Sequence, residues 1–409
     1  MKEWIKKRPL IFKVLLKTYD FLIFLKITLS YFIFLPIFSL FRINNKKIII
    51  MNFSGKWYWD MGKYISKELI IKWDYEIYWW CKEKWKWTIP DWIKYVESDS
   101  LKYLYHLATA KIWINNQRFW YGIRKREKQF YIQAWHWCLA FKKVEAAVKD
   151  KMSKYDILSS KNDSKMADLF ISNSKYCTNF YRKYFWYNGR ILECWCPRND
   201  IIINNDKDSI LKVKRTYWID LNDNICLYAP TFRSWYSLDS YNLDYKLLIS
   251  LLRNKFKWNR KLLIRLHPNI SYLSNQLSWI DNDIINATDY PDMQELLVAT
   301  DFLVTDYSSC ILDYALSGKM WMIYASDIDD YKNDRDFDIK LEDTPFPIAR
   351  NNDELKNTIK EYNIKTYKDE IVKFYTNLWI KETWESCKII ANIVNDITND
   401  KSIDQYFIL

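Results

Sequence analysis

Glycine is nearly missing from this chain. Its 409 residues hold five glycines where ordinary usage of about 7% would supply roughly 29. A globular chain of this length needs glycine wherever its backbone turns through positive φ or passes close to another segment. Histidine is scarce as well, with three in all, so each can be weighed singly. The eight cysteines (81, 138, 177, 194, 196, 226, 310 and 387) are scattered, and the nearest pair, Cys194 and Cys196, lacks the spacing of a zinc site or a redox Cys-x-x-Cys. Free thiols in a reducing compartment are expected, with no metal and no cofactor. No small-residue cleavage site follows the apolar N-terminus, so no removable signal peptide is expected.

Tryptophan is what the chain has instead. Its 22 tryptophans nearly make up the missing glycines, and many stand in turn-type strings such as Ser54-Gly55-Lys56-Trp57-Tyr58-Trp59-Asp60-Met61-Gly62 and Lys84-Trp85-Lys86-Trp87-Thr88. Our reading is that UGA codons, decoded as glycine in the source lineage, appear here as tryptophan; the alternative is a carbohydrate-stacking, tryptophan-rich surface. Recoding predicts that Trp57, Trp59, Trp137, Trp195 and Trp321 are splayed, clashing or at positive φ, whereas Trp113 and Trp135 pack in ordinary rotamers.

A net charge of +12 and a pI near 9.0 call for an anionic partner. Nucleic acid is not expected, because no RNP, zinc or helix-turn-helix signature is present. The N-terminus runs basic, then apolar from Leu10 to Phe41, then basic again. Its uncharged part, residues 27–41, falls short of the ~20 residues of a straight membrane span, although extension back to Phe21 across one lysine would reach that length. Lysines interleaved with Leu, Ile and Phe suit a helix lying in the headgroup plane of an anionic leaflet. Residues 1–46 are therefore read as a membrane-associating segment at the cytoplasmic face.

From Lys47 onward, short β-branched runs alternate with helical segments, the pattern of parallel sheets covered by helices. Strands are predicted at Ile48–Phe53, Glu76–Trp80, Ala110–Asn115, Phe130–Ala134, Asp168–Asn173 and Ile191–Glu193, and again at Asn224–Ala229, Lys261–Leu266, Phe302–Thr305 and Trp321–Tyr324. The polar stretch after Asn199 separates the two series. The expected architecture is α/β, with two doubly wound Rossmann-type domains, 47–200 and 201–396, facing a cleft, and a frayed tail at 397–409. Ligands of such sheets bind beyond the carboxyl ends of the strands.

The residues at those ends are the candidates. His136 follows the strand ending at Ala134, where a neutral imidazole can take a proton from an attacking hydroxyl. His267 sits in Arg265-Leu266-His267-Pro268, where the proline stops the strand and fixes the imidazole at its mouth, ready to bond a diphosphate or protonate a leaving phosphate. In Thr305-Asp306-Tyr307-Ser308-Ser309 a buried strand ends and two serines cap the next helix, a phosphate cradle that needs no glycine. Asp313 lies one turn on, able to bond a ribose hydroxyl or orient the cap. Arg233, ending Ala229-Pro230-Thr231-Phe232-Arg233, is placed to clamp phosphate oxygens. The charged run from Asp327 to Arg335 can be plain solvated surface.

In order along the chain, Trp135-His136-Trp137, Trp195-Cys196-Pro197-Arg198-Asn199-Asp200, Tyr228 to Arg233, Arg265 to Pro268, and Thr305 to Ser309 with Asp313-Tyr314 resemble the CDP-glycerol glycerophosphotransferases that build teichoic-acid-type polymers. Trp137 and Trp195 fall at glycines of that pattern. The resemblance implies a GT-B fold and metal-independent transfer of glycerol phosphate, or a related polyol phosphate, from CDP-glycerol to a polyisoprenoid-linked acceptor, releasing CMP. It implies His136 as general base, with His267, Arg233, Arg265, Thr305, Asp306, Ser308, Ser309 and Asp313 around the donor. A nucleotide-sugar glycosyltransferase or epimerase of the same fold, or a non-catalytic relative, is the alternative.

Overall fold

The structure is a computed structural model that describes residues 18, 25, 28–98, 100–136, 143–233, 241–257, 259–276, 282–329, 331, 338–380 and 384–407. Two parallel sheets form it. The first contains β1 (Asn44–Met51), β2 (Glu76–Cys81), β3 (Lys94–Glu97), β4 (Ala110–Asn115), β5 (Phe130–Gln133), β6 (Leu169–Ser172) and β7 (Arg190–Glu193), in the order β3-β2-β1-β4-β5-β6-β7. The second contains β8 (Asn224–Ala229), β9 (Arg260–Ile264), β10 (Ile284–Asn286), β11 (Phe302–Thr305), β12 (Met320–Tyr324) and β13 (Ile348–Ala349), in the order β10-β9-β8-β11-β12-β13. In each sheet the order reverses beside the first strand, between β1 and β4 and between β8 and β11. Those are the switch points where such sheets take ligands.

The central strands are continuous apolar runs because helices cover both of their faces. Ile48, Ile49 and Ile50 of β1 are fully buried, with Ile48 in register with Ile77 on one side and Ile112 on the other. Helix Asp60–Lys72 lies close enough to β1 that a Cβ on Gly62 would stand 2.5 Å from the Ile50 side chain. Glycine is required there for close approach.

Two sequence-based boundaries need correction. Helix Ser386–Thr398 belongs by position to the second domain, but its Ile390, Ala391, Ile393 and Val394 pack in one cluster with Ile48, Ile50 and Ile112 of the first sheet. Within the tail expected to fray, Ile403 is buried and Tyr406 donates to Asp396. The thiol expectation also fails at one position. Cys81, Cys177, Cys194, Cys226, Cys310 and Cys387 are in no disulfide, but Cys196 is disulfide-bonded; spacing along the chain does not register which loops a parallel sheet brings together.

The tryptophans divide. Trp57, Trp59 and Trp321 are buried without positive φ, which counts against glycine at those three positions. Trp195 is buried at φ 74, and Trp186, Trp218, Trp379 and Trp384 also have positive φ, as do only two glycines, Gly55 and Gly318. Trp218 and Trp379 each end a helix in the six-to-one pattern that normally demands glycine, with Ile219 N–H on the Lys214 carbonyl (2.8 Å) and Ile380 N–H on the Tyr375 carbonyl (3.1 Å). Trp218 is 94% exposed. Buried indole N–H groups of Trp59, Trp79, Trp80, Trp85, Trp195 and Trp321 have no hydrogen-bond partner among the described residues, whereas the indole of Trp113 donates to the Leu107 carbonyl at 3.0 Å. Trp137 lies outside the described residues.

Candidate active site

The carboxyl ends of β1, β4 and β5 face those of β8, β9 and β11 across a cavity of about 500 Å³. The chain leaves β1 through Phe53, Ser54 and Gly55, all at positive φ. This left-handed run is held by Phe53 N–H donating to Asn116 Oδ1 (2.9 Å) and Gly55 N–H donating to the Asn52 carbonyl (2.9 Å). Backbone strain of this kind collects at functional sites.

His136 stands on the first wall. Its Nδ1 lies 3.0 Å from the Asn116 carbonyl. Since a carbonyl only accepts, Nδ1 carries the proton and Nε2 is the basic nitrogen. Burial pushes the imidazole pKa down to about 4, opposed by its bond to Asn116, so the ring is neutral at physiological pH. The rings of Phe53 and Trp135 flank it at 5.2 and 4.7 Å.

Arg265 stands on the second wall. Its guanidinium is buried and makes no ion pair among the described residues; Nη2 reaches the Tyr290 carbonyl at 3.3 Å, Nη1 faces the Met293 sulfur, and Nε has no partner. Burial pushes its pKa down. His267 beside it accepts from Asn269 N–H through Nδ1 at 3.1 Å and lies against the Phe232 ring at 4.7 Å. Ser308 and Ser309 complete this wall. Ser308 Oγ accepts from Cys310 N–H at 3.3 Å, while Ser309, expected to cap as well, makes no side-chain cap bond.

His136, His267, Arg265, Ser308, Ser309 and Asp313 thus line one cavity. Arg233, Thr305 and Asp306 are absent from its lining. The Arg233 guanidinium is consumed internally, by Asp306 (2.9 Å) and by Asp327 through Nε (2.6 Å) and Nη2 (2.9 Å), inside a cage of the Tyr241, Tyr307 and Tyr331 rings. Asp306 also takes Thr231 N–H at 2.8 Å, and Thr305 Oγ1 donates to the Ala229 carbonyl at 2.7 Å. These three side chains brace the loops after β8 and β11. Asp327, read as surface, is part of that brace. Asp313 is committed too: it accepts from Arg198 Nη2 (2.7 Å), Asn199 (2.8 Å) and Gln294 (3.3 Å).

Sequence reasoning missed Ser54, Lys56, Gln117 and Arg198 in the lining. The first three follow β1 and β4, the strands at the switch point, and that rule was the available signal. Arg198 stood in a quoted motif without a role. Its Nη1 donates to Asp60 (2.9 Å) and to the His136 carbonyl (2.6 Å), so one buried guanidinium ties Asp60 of the first wall to Asp313 of the second. Nearby, Lys63 of the first domain is buried between Asp292 (2.5 Å) and Glu295 (2.6 Å) of the second. A further cavity of about 550 Å³ shares Ser54, Gln117 and His136 with the cleft and extends past Arg118, Trp120 and Lys143. No metal-holding group of three or more His, Cys, Asp or Glu side chains occurs among the described residues.

Two doubly wound parallel sheets whose switch points meet over one cleft define a two-lobed, GT-B-type architecture. Sequence comparison identifies the kind within it: the profile of the CDP-glycerol:poly(glycerophosphate) glycerophosphotransferase family matches residues 33–396, and the chain belongs to that family. It is 30% identical over 372 residues to a teichoic acid poly(glycerol phosphate) polymerase of Staphylococcus epidermidis, covering 87% of this chain and 51% of that protein. It is 28% identical over 376 residues to the enzyme of the same name from Bacillus spizizenii, covering 88% and 95%. The chain thus spans about half of the first relative and nearly all of the second. The solved wall teichoic acid polymerase TagF, in a crystal soaked with CDPG, superposes with a TM-score of 0.76 at 27% identity, covering 88% of this chain and 90% of that one.

Proposed function

We propose that this chain transfers glycerol phosphate, or a related polyol phosphate, from CDP-glycerol to a hydroxyl of a polyisoprenoid-linked acceptor in teichoic-acid-type polymer synthesis. One observation carries the reading: a buried guanidinium without a carboxylate, Arg265, stands across the cleft from a neutral, oriented imidazole, His136. A buried cation left without a counter-charge costs several kcal/mol, which an anionic ligand such as a diphosphate offsets. Lys56 in the same cavity, its pKa lowered by burial and by Lys82 and Lys84, adds to the attraction for anions.

Nε2 of His136 accepts the acceptor's hydroxyl proton as that oxygen attacks the phosphorus bearing the glycerol. The bond from that phosphorus to the CMP oxygen breaks, and CMP leaves with the electron pair. Arg265, His267, Ser308 and Ser309 hold the diphosphate and bear its growing charge. The acceptor then approaches from the His136 side, where the further cavity opens.

The described end of the N-terminal segment supports attachment to a membrane surface. Leu35 is buried and Phe38 packs on Tyr105, while Leu29, Phe32, Ile33, Ile37, Leu40 and Phe41 are exposed. No described helix is long and apolar enough to cross a membrane. An apolar face on a basic segment suits the anionic cytoplasmic leaflet. Deleting residues 1–45 is expected to move the protein to the soluble fraction while it still uses a short soluble acceptor. Release of the full-length chain by high salt alone contradicts the apolar part of this reading.

The test of function is incubation of purified protein with CDP-glycerol and a lipid-linked disaccharide, with CMP release and product size measured. Turnover of UDP-sugars instead assigns the alternative glycosyltransferase or epimerase activity. No turnover of any donor assigns the non-catalytic one.

A further inference from the structure

We infer that Arg198 is a positioning residue: by bridging the two lobes it aligns the His136 imidazole for proton transfer only while the walls of the cleft are together. The inference rests on the reading of His136 as the base and adds the element that governs it.

Arg198 reaches the imidazole by two routes. Directly, its Nη1 donates to the main-chain carbonyl of His136 at 2.6 Å. Indirectly, the same nitrogen holds Asp60 at 2.9 Å, Asp60 accepts from Asn116 Nδ2 at 3.3 Å, and the Asn116 carbonyl holds His136 Nδ1 at 3.0 Å. Asn116 Oδ1 also fixes the left-handed turn at Phe53. All of this belongs to the first lobe and the crossing segment. The other hand of the guanidinium, Nη2, is on Asp313 of the second lobe, which Asn199 and Gln294 also hold.

Both carboxylates and the guanidinium are buried, with side chains 3–7% exposed. Parting the lobes removes one of two counter-charges from a desolvated cation, and the cheapest relief is for Arg198 to move with Asp313 or into water. Either movement releases the His136 carbonyl and the clamp on the Asn116 loop. The base is thereby in register when the lobes meet and loose when they part. Water in an open cleft then meets a poorly aligned base, which protects the donor from hydrolysis. The charged groups facing His136 are Asp60, Arg198 and Arg118, with Lys56 on the turn after β1 and Arg265 and His267 across the cavity.

The test uses the full chain with CDP-glycerol and the lipid-linked acceptor. Asp313→Asn keeps the shape and removes the charge from the second lobe. The expected result is a roughly 10- to 100-fold fall in kcat, the scale of a misplaced catalytic group, with the dissociation constant for CDP-glycerol unchanged. Arg198→Lys, which can satisfy only part of the bridge, recovers part of the rate. Ring ¹⁵N spectra supply the readout that a merely structural role leaves still. Three histidines give three pairs of ring-nitrogen signals, assignable with His106→Gln and His267→Gln, and His136 is expected to pass from a single Nδ1–H tautomer to a mixture in Asp313→Asn.

If single variants fail to fold, the triple variant Asp60→Asn, Arg198→Met, Asp313→Asn leaves no buried charge unpaired and is read in the same way. An unmoved His136 tautomer overturns the inference, whether kcat is retained or falls together with donor affinity. Wild-type turnover by His136→Ala removes the base reading itself, a separate failure that leaves the tautomer result intact.

Discussion

The two walls of the cleft treat buried charge in opposite ways. On the first wall the fully buried charges are answered: Arg198 has two carboxylates, Asp60 has Arg198 and Asn116, and the titratable ring that faces the cavity is held neutral, while the half-buried Lys56 has no ion pair among the described residues. On the second wall Arg265 is buried with no ion pair among the described residues, while Arg233, four residues past β8, has two carboxylates. An answered charge is architecture. An unanswered one attracts an anion, so the walls divide the work: one orients a base and the other draws the anionic donor.

The largest expected effect falls on the first wall. His136→Ala removes the base, and kcat should drop about 10²- to 10⁴-fold with CDP-glycerol binding retained; turnover near the wild-type rate would break the division of labour. Next come paired substitutions of the two second-lobe arginines. Arg233→Met strands Asp306 and Asp327 in the interior, and a chemical melt should show a loss of about 3–5 kcal/mol. Arg265→Met strands nothing, so stability should hold or rise, while calorimetry should record donor affinity weakened by the roughly 1.5–3 kcal/mol of a charged hydrogen bond. If the two variants behave alike, the contrast between answered and unanswered charge has no meaning.

The pH profile is a finer test. With the His136 pKa lowered to about 4, the neutral, active ring persists below the ordinary value of about 6.5, so the acid limb of kcat should lie under pH 6.5. The sign for stability is opposite. The unfolded chain takes up protons below pH 6.5 that the folded His136 and His106, also lowered to about 4, refuse; stability therefore falls as pH drops from 6.5 towards 4. An acid limb at 6.5 or above would show that the ring is not desolvated. The smallest effect lies outside the cleft: Trp218→Gly and Trp379→Gly should each raise stability by about 1 kcal/mol, because a bulky residue in the left-handed region costs that much, and a fall in melting temperature would argue for genuine tryptophans.

Much of this was legible in the sequence where burial enforces a pattern. Central strands such as Ala110–Asn115 and Phe302–Thr305 are buried from end to end and largely apolar, and the sequence pattern gives their limits to the residue. Lys94–Glu97, Ile284–Asn286 and Ile348–Ala349 were not, because they lie at sheet edges where few side chains must be apolar. Motif position points to Arg233, Arg265, Asp306 and Asp313, but it cannot tell whether a guanidinium is spent internally. That depends on Asp327, 94 residues from Arg233, and on Asp60, 138 residues from Arg198. Among the tryptophans, Trp195 falls in a recognisable motif, while Trp186, Trp218, Trp379 and Trp384 stand outside every motif named above, and their positive φ shows only in the structure.

The chain crosses between the lobes twice. Near residue 200 it leaves the first sheet, and near residue 385 it returns so that helix Ser386–Thr398 can pack where the chain began. The two crossings are fastened to each other: the Asp200 carboxylate accepts Ser386 and Cys387 N–H at 3.3 and 2.8 Å, and Ser386 Oγ donates to the Cys194 carbonyl at 2.6 Å. The second lobe is, in effect, a long insert tied off at its neck. A door on two adjacent pins resists twisting, and a neck of this build fixes how the two cleft walls are registered against each other.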